Sequence, residues 1–200
     1  MICPQITSID ASRPCVNSPL PPGSSELALT TENVAKVADL YGRCADYFLL
    51  QDGEAPTLAD AQELFTDVPI GKTSDEQTVL GWQGMDGLSA VAAILRDYPL
   101  AGTWYLGLLL VEPAHRCEGL GRSIYAEIEA WALAEGAREM RLAVLEANER
   151  GAHFWRSCGF HALRRVGPDQ FKTRSHWRIE YCRHLICWTS CSSPVSAGQQ

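Results

Sequence analysis

The sequence predicts one α/β domain built around a mixed β-sheet, and three observations carry this prediction. The chain has 200 residues, of which 46% are hydrophobic, so it is long and apolar enough for one sizeable core. Its central part reads as a strand–turn–strand unit followed by strand, helix, strand, helix and strand. The longest apolar run, LGLLLV, has the length of a strand and falls far short of the roughly 18 residues that would cross a membrane. We therefore expect a soluble protein.

The two ends of the chain differ in composition from its middle. Residues 1–25 contain five prolines and several serines, and the last residues are rich in serine. Such compositions favour flexible segments, so we predict a leader over 1–25, a domain over 26–186 and a flexible tail over 187–200. The first residues lack the basic start and the uninterrupted apolar core of a secretory signal. We therefore expect a cytoplasmic location.

Two helices are predicted at the front of the domain, before any strand. In TTENVAKVADLYGRCADYFLL, apolar residues recur at helical spacing and Thr31 is a suitable N-cap. In TLADAQELF, a second helix begins with Thr57 as its N-cap, directly after Pro56.

The next elements are predicted strands. QTVLGWQGMDGLSAVAAILRDYP reads as two strands around a tight turn, because Asp86-Gly87 is a strong hairpin signal. GTWYLGLLLVEP follows as a third strand, which ends at Pro113.

The second half of the domain alternates helix and strand. An amphipathic helix that ends before Gly136 is indicated by apolar residues at intervals of three and four, namely Leu120, Ile124, Ile128, Trp131 and Ala132. EMRLAVLEA is a buried strand, and ERGAHFWRSC is a short helix that stops at Gly159. FHALRRV and SHWRIEYCRHL are predicted as the last two strands, although their richness in Arg, Trp and Cys leaves open whether they are complete.

The charge pattern restricts the classes of partner. The chain carries 17 basic and 24 acidic residues, a net charge of −7, which argues against general nucleic-acid binding. Ten of the basic residues lie within 138–183, so residues 1–137 are strongly acidic. An acidic front half could attract a cationic substrate, or it could be an ordinary solvated surface.

The cysteines do not indicate a metal centre. None of the eight forms a Cys-x-x-Cys pair. His184, Cys187 and Cys191 have loosely ligand-like spacing, but they lie near the end of the chain, and we expect no metal.

The segment VEPAHRCEGLGRS is a candidate anion site. It connects an apolar strand to a helix, where free backbone N–H groups and the helix dipole favour negative charge. Gly119 and Gly121 remove side chains from that end, while Arg116 and Arg122 add charged donors. The pattern is not a P-loop, and Ile124 stands where a dinucleotide fingerprint needs its third glycine.

Two linked motifs resemble the GNAT superfamily of N-acetyltransferases. LLLVEPAHRCEGLGRSIYAEIEAWA is similar to its motif A, a strand that leads into Arg/Gln-x-x-Gly-x-Gly/Ala. LAVLEANERGAHFWRSCGF is similar to its next motif, an asparagine followed by a short helix that ends in Gly-Phe. Both motifs fall within residues 106–160, in the expected order. The resemblance implies the GNAT-type fold, with two front helices and a central mixed sheet that splays into a V.

The resemblance also implies an activity. Members of the superfamily transfer an acetyl group from acetyl-CoA, by direct attack in a ternary complex, to an amine. We expect a primary amine of a small molecule as acceptor, no metal, no nucleic-acid or membrane partner, and a homodimer as the family's habit. Two alternatives stay open: a catalytically weak acyl-CoA-binding or sensing domain, and a peptide or protein N-acetyltransferase.

By the same resemblance, acetyl-CoA would contact three segments. Its pantetheine arm would pair with the strand that ends in Leu109, Leu110 and Val111, and would contact Asn148. Trp155 stands where the family usually has a tyrosine that donates a proton to the leaving thiolate, and an indole N–H cannot give up its proton near neutral pH. The pyrophosphate would lie on the loop formed by Arg116, Cys117, Glu118, Gly119, Leu120 and Gly121, next to Arg122.

For the catalytic groups the sequence offers candidates, each with a structural alternative. Glu146 and Glu112, at or near the ends of the two central strands, are candidate bases, or they are ordinary solvated carboxylates. Tyr125 is a candidate acid, or a packing residue. Asp46 could bind a cationic substrate, and Cys117 is either a reactive or a structural thiol.

Overall fold

The computed structural model describes residues 26–185, which form a mixed α/β structure, as predicted. The strands are β1 (Glu26–Leu29), β2 (Gln77–Gly84), β3 (Gly87–Leu95), β4 (Thr103–Val111), β5 (Glu139–Leu145), β6 (His161–Phe171) and β7 (Arg174–His184). The helices are α1 (Val34–Arg43), α2 (Ala45–Gln51), α3 (Leu58–Thr66), α4 (Leu120–Ala134) and α5 (Glu149–Ser157). The leader and the tail predicted from composition lie outside the described residues, so the domain limits stay a prediction.

The strands form one sheet whose centre is splayed. Their order is β1-β2-β3-β4-β5-β7-β6, and within the described chain only β4 and β5 pair in parallel. That pairing joins 103–105 to 139–141 and goes no further, although both strands continue for several residues. The two strands therefore diverge towards their carboxyl ends, and the V-shaped splay implied by the family resemblance is confirmed.

A β-bulge in β4 lies where the splay begins. Ile94 pairs with Leu106 and Ala93 pairs with Leu108, so Gly107 is the extra residue. Leu106 packs into the core on the α4 side of the sheet, whereas Leu108 packs on the α1 side. The bulge thus exchanges the two faces of β4 and leaves backbone groups near Gly107 without regular pairing.

Each face of the sheet has its own apolar core. On the back, α4 packs its buried face on the sheet, and the rings of Trp104 and Trp131 meet edge to face at 4.7 Å. On the front, α1 and α3 cover β3 and the end of β4, with Leu40 and Val91 fully buried. Each such side chain contributes about 1.5–3 kcal/mol by leaving water. The gap between β4 and β5 therefore has an apolar core on each face of the sheet.

The front of the chain differs from the prediction in three details. β1 precedes the helices and pairs with β2, so the expectation of no earlier strand is wrong. A four-residue edge strand gives almost no periodic signal, and its partner is about fifty residues away. The predicted first helix is interrupted at Cys44, between α1 and α2. A 3-10 turn at Thr31–Asn33 leads into α1, and this turn is capped by Thr30 rather than Thr31, since the Thr30 hydroxyl accepts from the N–H of Glu32 at 3.3 Å.

The remaining elements agree with the sequence. Thr57 caps α3 in a capping box with Asp60. The predicted hairpin is present, although its two turn residues are Met85 and Asp86 rather than Asp86 and Gly87. β6 and β7 are strands of eleven residues each that turn at Lys172, and their pairing shifts register twice along β6, between Ala162 and Arg164 and between Val166 and Asp169.

Across 26–185, no helix is both long enough and apolar enough to span a membrane.

Candidate active site

The loop between β4 and α4 presents a cradle of free backbone N–H groups. Within the described chain, no acceptor lies within hydrogen-bonding geometry of the N–H groups of 117–121. Cys117 and Gly119 have φ of 66° and 89°, in the left-handed region, and these turn successive amides towards one side. A Cβ added at Gly119 would meet no atom within 4 Å, so this side of the loop is open. The cradle fits an anion such as a pyrophosphate.

Arg116 supports the loop from outside the cradle. Its Nε donates to the carbonyl oxygen of Val111 at 2.8 Å, and its two Nη atoms hold the carboxylate of Asp46, with Nη2 at 3.0 Å from Oδ1. Its own N–H donates to the Pro113 carbonyl at 3.3 Å. The guanidinium of Arg116 lowers the pKa of Asp46. Asp46, predicted as a possible substrate ligand, is therefore already paired with a cation.

Two other arginines lie beside the cradle. Arg122 joins the start of α4 to the end of α5 through the hydroxyl and the carbonyl of Ser157, at 2.8 and 3.2 Å, and stays exposed. Arg150, in the first turn of α5, places Nη2 at 3.9 Å from the exposed Cys117 sulfur. The sequence analysis missed Arg150, and its only signal was its place two residues after Asn148. The cradle therefore has cationic neighbours from both flanking helices.

The strand before the cradle has a free edge. Leu109, Leu110 and Val111 pair with β3 on one side, while β5 has already diverged from the other. Asn148 lies just past β5, at the same edge of the sheet, and its Oδ1 caps α5 by accepting from the N–H of Gly151 at 2.9 Å. An extended arm could pair with this free edge and pass Asn148.

Trp155 belongs to the core behind the splay. It is 8% exposed, and its ring contacts those of Tyr125, Phe154 and Phe160 at centroid distances of 4.8–5.5 Å. Tyr125 is 2% exposed, its hydroxyl lies 3.5 Å from Glu129 Oε1, and burial raises its pKa. Tyr125 is thus surrounded by packing contacts and holds its proton firmly.

The two predicted bases are held by arginines. Glu112 is half-buried and pairs with Arg43 at 2.8 Å. Glu146 is exposed and accepts both bonds of a bidentate pair from Arg165 at 2.7 Å, and this pair lowers the pKa of Glu146. A carboxylate with a lowered pKa is a weaker proton acceptor. The catalytic roles of Glu112, Glu146 and Tyr125 stay predictions.

A cavity with a volume of about 680 Å³ lies on the front of the sheet. Its walls are α2, α3, the bulged part of β4 and the turn between β6 and β7. Gly107 and Leu108 line it, so it opens on the splay. None of the three predicted catalytic residues lines this front cleft. Glu146 lines a separate cavity of about 380 Å³ between β5, α5 and β7.

The charged side chains of the front cleft are unevenly paired. Its two cations are neutralised, Lys172 by Asp60 at 2.6 Å and Arg178 by Asp169 at 2.6 Å. Three lining carboxylates have no cationic partner in the described chain, namely Asp52, Glu63 and Asp67. The sequence analysis did not identify them, because only the packing of α2 and α3 on the sheet brings them together.

In the part of the chain that the structure describes, no three His, Cys, Asp or Glu side chains are grouped as metal ligands. Cys187 and Cys191 lie outside that part, so their predicted spacing with His184 is not tested.

The overall fold is similar to that of known acetyltransferases. The structure of an acetyltransferase from Thermus thermophilus superposes with a TM-score of 0.64 at 23% identity, covering 80% of this chain and 96% of that one. The ribosomal-protein-S18-alanine N-acetyltransferase from Escherichia coli gives 0.61 at 12% identity, covering 84% and 97%. An N-acetyltransferase from Staphylococcus aureus gives 0.61 at 13% identity, covering 80% and 98%. These likenesses show a common fold.

The family is shown by the sequence itself. Residues 39–160 match the acetyltransferase (GNAT) family, and this match spans more than half of the chain. The chain therefore belongs to the GNAT family, which confirms the resemblance of its two motifs and supports acetyl transfer from acetyl-CoA. No curated protein matches the sequence.

Proposed function

We propose that the protein transfers the acetyl group of acetyl-CoA to a primary amine of a small-molecule acceptor, by direct attack in a ternary complex. One observation carries the proposal. A free N–H cradle lies beyond the end of β4, while a cleft of about 680 Å³ meets the same strand at its bulge, Gly107. Acetyl-CoA bound at the cradle and an amine bound in the front cleft would meet at this bulge.

The proposed co-substrate site uses backbone more than side chains. The pyrophosphate would accept from the N–H groups of 117–121, with Arg122 and Arg150 balancing its charge. The pantetheine arm would pair with the free edge of 109–111 and reach the bulge. This role is proposed for the backbone of Cys117, Glu118, Gly119, Leu120 and Gly121, while the side chain of Arg116 positions the loop.

The proposed chemistry needs a neutral amine in the front cleft. Its nitrogen forms a bond to the thioester carbonyl carbon, and the carbon–sulfur bond then breaks. A backbone N–H beside the bulge of β4 would stabilise the negative charge on the carbonyl oxygen. The amine loses its proton to water or to a carboxylate. Cysteine-like thiols have a pKa of about 8.5, so the thiolate can leave without a dedicated acid, which agrees with Trp155 at the usual tyrosine position.

Calorimetry with acetyl-CoA tests the co-substrate site. The variant Gly119→Glu places a side chain and a negative charge on the open side of the loop, so we expect its affinity to fall by about 100-fold or more, which is about 2.7 kcal/mol. Gly119→Gln is the matched control, because it has nearly the same size and the same left-handed φ but no charge. The site is excluded if the parent, correctly folded, does not bind acetyl-CoA.

Product analysis by mass spectrometry tests the reaction. We expect acetylated product and free CoA with at least one small amine in a broad panel. Binding of acetyl-CoA without turnover on any amine or peptide would identify a sensing domain instead. Transfer to peptides alone, the kind of acceptor named for the Escherichia coli structural relative, would overturn the small-molecule acceptor.

A further inference from the structure

We propose, on the basis of that function, that the acceptor is an aliphatic diamine whose distal ammonium group binds Asp52 while its reactive amine lies at the bulge of β4. Both Asp52 and Gly107 line the front cleft, so a ligand in that cleft has access to both. Three features of the cleft support this substrate class: a buried carboxylate, a tyrosine hydroxyl without a partner, and aromatic walls.

Asp52 is a buried carboxylate held in position for a cation. It is 5% exposed, and its Oδ1 accepts from Gln51 Nε2 at 3.2 Å. Gln51 is fixed in turn, because its Oε1 accepts from the Tyr47 hydroxyl at 2.7 Å. In the described chain no cation lies within ion-pair distance of Asp52, because the nearby Lys172 is bound to Asp60 and acts on Asp52 only through longer-range attraction. A ligand ammonium would give this carboxylate a direct partner.

Tyr41 brings a second polar group to the same cleft. The residue is 4% exposed and lines the cavity, yet its hydroxyl has no hydrogen-bond partner in the part of the chain that the structure describes. Its ring is fixed by packing on Phe48, at a centroid distance of 4.5 Å. The hydroxyl itself is not one of the fully buried polar atoms, so it reaches the open space of the cleft and is available for a ligand there. Its oxygen can accept from an ammonium N–H.

The walls suit an alkyl chain between two amines. Aromatic faces attract ammonium groups and bury methylene groups, and the cleft presents five of them. These are Tyr41, Tyr47, Phe48, Tyr105 and Phe171. The volume of about 680 Å³ lies within the range of small-molecule sites.

The pairing of the cations disfavours acceptors that carry an anionic group. Lys172 and Arg178 are bound to Asp60 and Asp169, so neither is free to hold the carboxylate of an amino acid or a phosphate. Glu63 adds further negative charge to the lining. The cleft therefore favours two positive charges over a zwitterion.

Steady-state kinetics with two matched amines test this inference on the full chain. The probes are 1,4-diaminobutane and 1-aminobutane, which differ only by the distal amine. We expect the diamine to have a KM at least about tenfold lower, equivalent to about 1.4 kcal/mol. In Asp52→Asn this preference should disappear through a higher KM for the diamine, while the KM for the monoamine and the calorimetric affinity for acetyl-CoA stay unchanged.

Two further variants provide a second test of the cleft and a control. Tyr41→Phe removes only the unpartnered hydroxyl, so we expect an unchanged melting temperature and a KM for the diamine that rises several-fold. Asp86→Asn, an exposed acid at the β2–β3 turn, is the charge-matched control and should alter neither KM. If Asp52→Asn does not fold, the KM of Tyr41→Phe for the diamine decides the test: an unchanged KM would overturn the inference.

The outcomes separate this inference from the proposed function. Equal KM values for the two amines in the parent, or a preference that survives in folded Asp52→Asn, would overturn the diamine and leave acetyl transfer standing. Binding of acetyl-CoA without transfer to any amine would overturn the proposed function, and the inference with it.

Discussion

The cradle lies beyond the carboxyl end of β4 and the front cleft meets the middle of the same strand, and the two are built in different ways. The cradle is one continuous segment, 117–121, and it works through main-chain N–H groups. The front cleft is assembled from side chains between Tyr41 and Arg178, contributed by helices, strands and a turn. A backbone site tolerates many side chains as long as the glycines stay, whereas the side-chain site depends on each residue that lines it.

The two sites also differ in charge. Arg122 and Arg150 flank the cradle, while the front cleft has carboxylates without cationic partners in the described chain. This difference follows the sequence, since the acidic residues are concentrated in the front half and the basic ones in the last third. Coulombic attraction would therefore draw an anion to the cradle and a cation to the front cleft.

A polar junction connects the front helices to the end of β4. Arg116 joins Asp46 of α2 to the Val111 carbonyl. Arg43 of α1 joins Glu112, and its Nη2 donates to the Leu88 carbonyl at 2.7 Å. Through these bonds the front helices position the strand and the loop that lead into the cradle.

The largest expected effect is on the core behind the cradle. Trp155→Ala removes a buried indole, so we expect the free energy of unfolding to fall by about 3–5 kcal/mol in urea titrations. Trp177→Ala is the control, because Trp177 is partly exposed and stacks only under Arg165. Its loss should be less than about 1 kcal/mol. Equal losses for the two variants would contradict the assignment of Trp155 to the core.

Gly119→Ala should weaken the cradle without changing the front cleft. The left-handed φ of Gly119 costs an alanine about 1–2 kcal/mol, although its Cβ would meet open space. We expect a lower melting temperature and weaker calorimetric binding of acetyl-CoA, with the preference among amines retained. Gly42→Ala is the matched control, because Gly42 lies in α1 with room for a Cβ, and it should be neutral or stabilising by up to about 1 kcal/mol. A Gly119→Ala protein as stable as the parent would show that the loop does not need this conformation.

Asp46→Asn should loosen the junction and weaken the cradle. The Arg116–Asp46 pair is partly exposed, so we expect a loss of about 0.2–1 kcal/mol in stability and a few-fold weaker binding of acetyl-CoA. Arg116→Ala and the double variant complete a cycle, in which additive losses would argue against the coupling.

The same pair predicts a pH dependence. Arg116 lowers the pKa of Asp46 in the folded state below its unfolded value of about 3.9. Its stabilising contribution is therefore fully present above about pH 4 and disappears as the pH falls through the lowered folded value. We expect the unfolding free energies of the parent and Asp46→Asn to converge in that acidic range, and parallel curves would contradict this.

The smallest effect is expected at Glu146. Its pair with Arg165 is exposed and its pKa is lowered, so we expect Glu146→Gln to keep kcat within about twofold. A base that takes a proton in the rate-limiting step contributes about 10²–10⁴-fold. A drop of that size, with a shifted pH profile, would restore Glu146 as the catalytic base.

Part of the fold followed from local sequence signals. The hairpin, β4, α4 and α5 are predicted because each has a glycine or proline at its end, and β5 because it is a short apolar run of strand length. Thr57 was recognised as a cap from its place directly after Pro56, at the start of the helical pattern. β1 and the interruption at Cys44 were missed, since the first depends on pairing with a distant edge and the only local signal for the second is Gly42, a single glycine of the kind that helices tolerate.

By itself, the sequence determined the family, the order of the elements and the cradle. All three can be recognised from the spacing of residues within short segments, because the glycines and the end of a helix affect only the few residues beside them. Only the tertiary structure decided that Arg116 faces Asp46, that Glu146 lies apart from the front cleft, and that Asp52 and Tyr41 share it. Such contacts join residues far apart in the chain, and packing, which no local pattern records, brings them together.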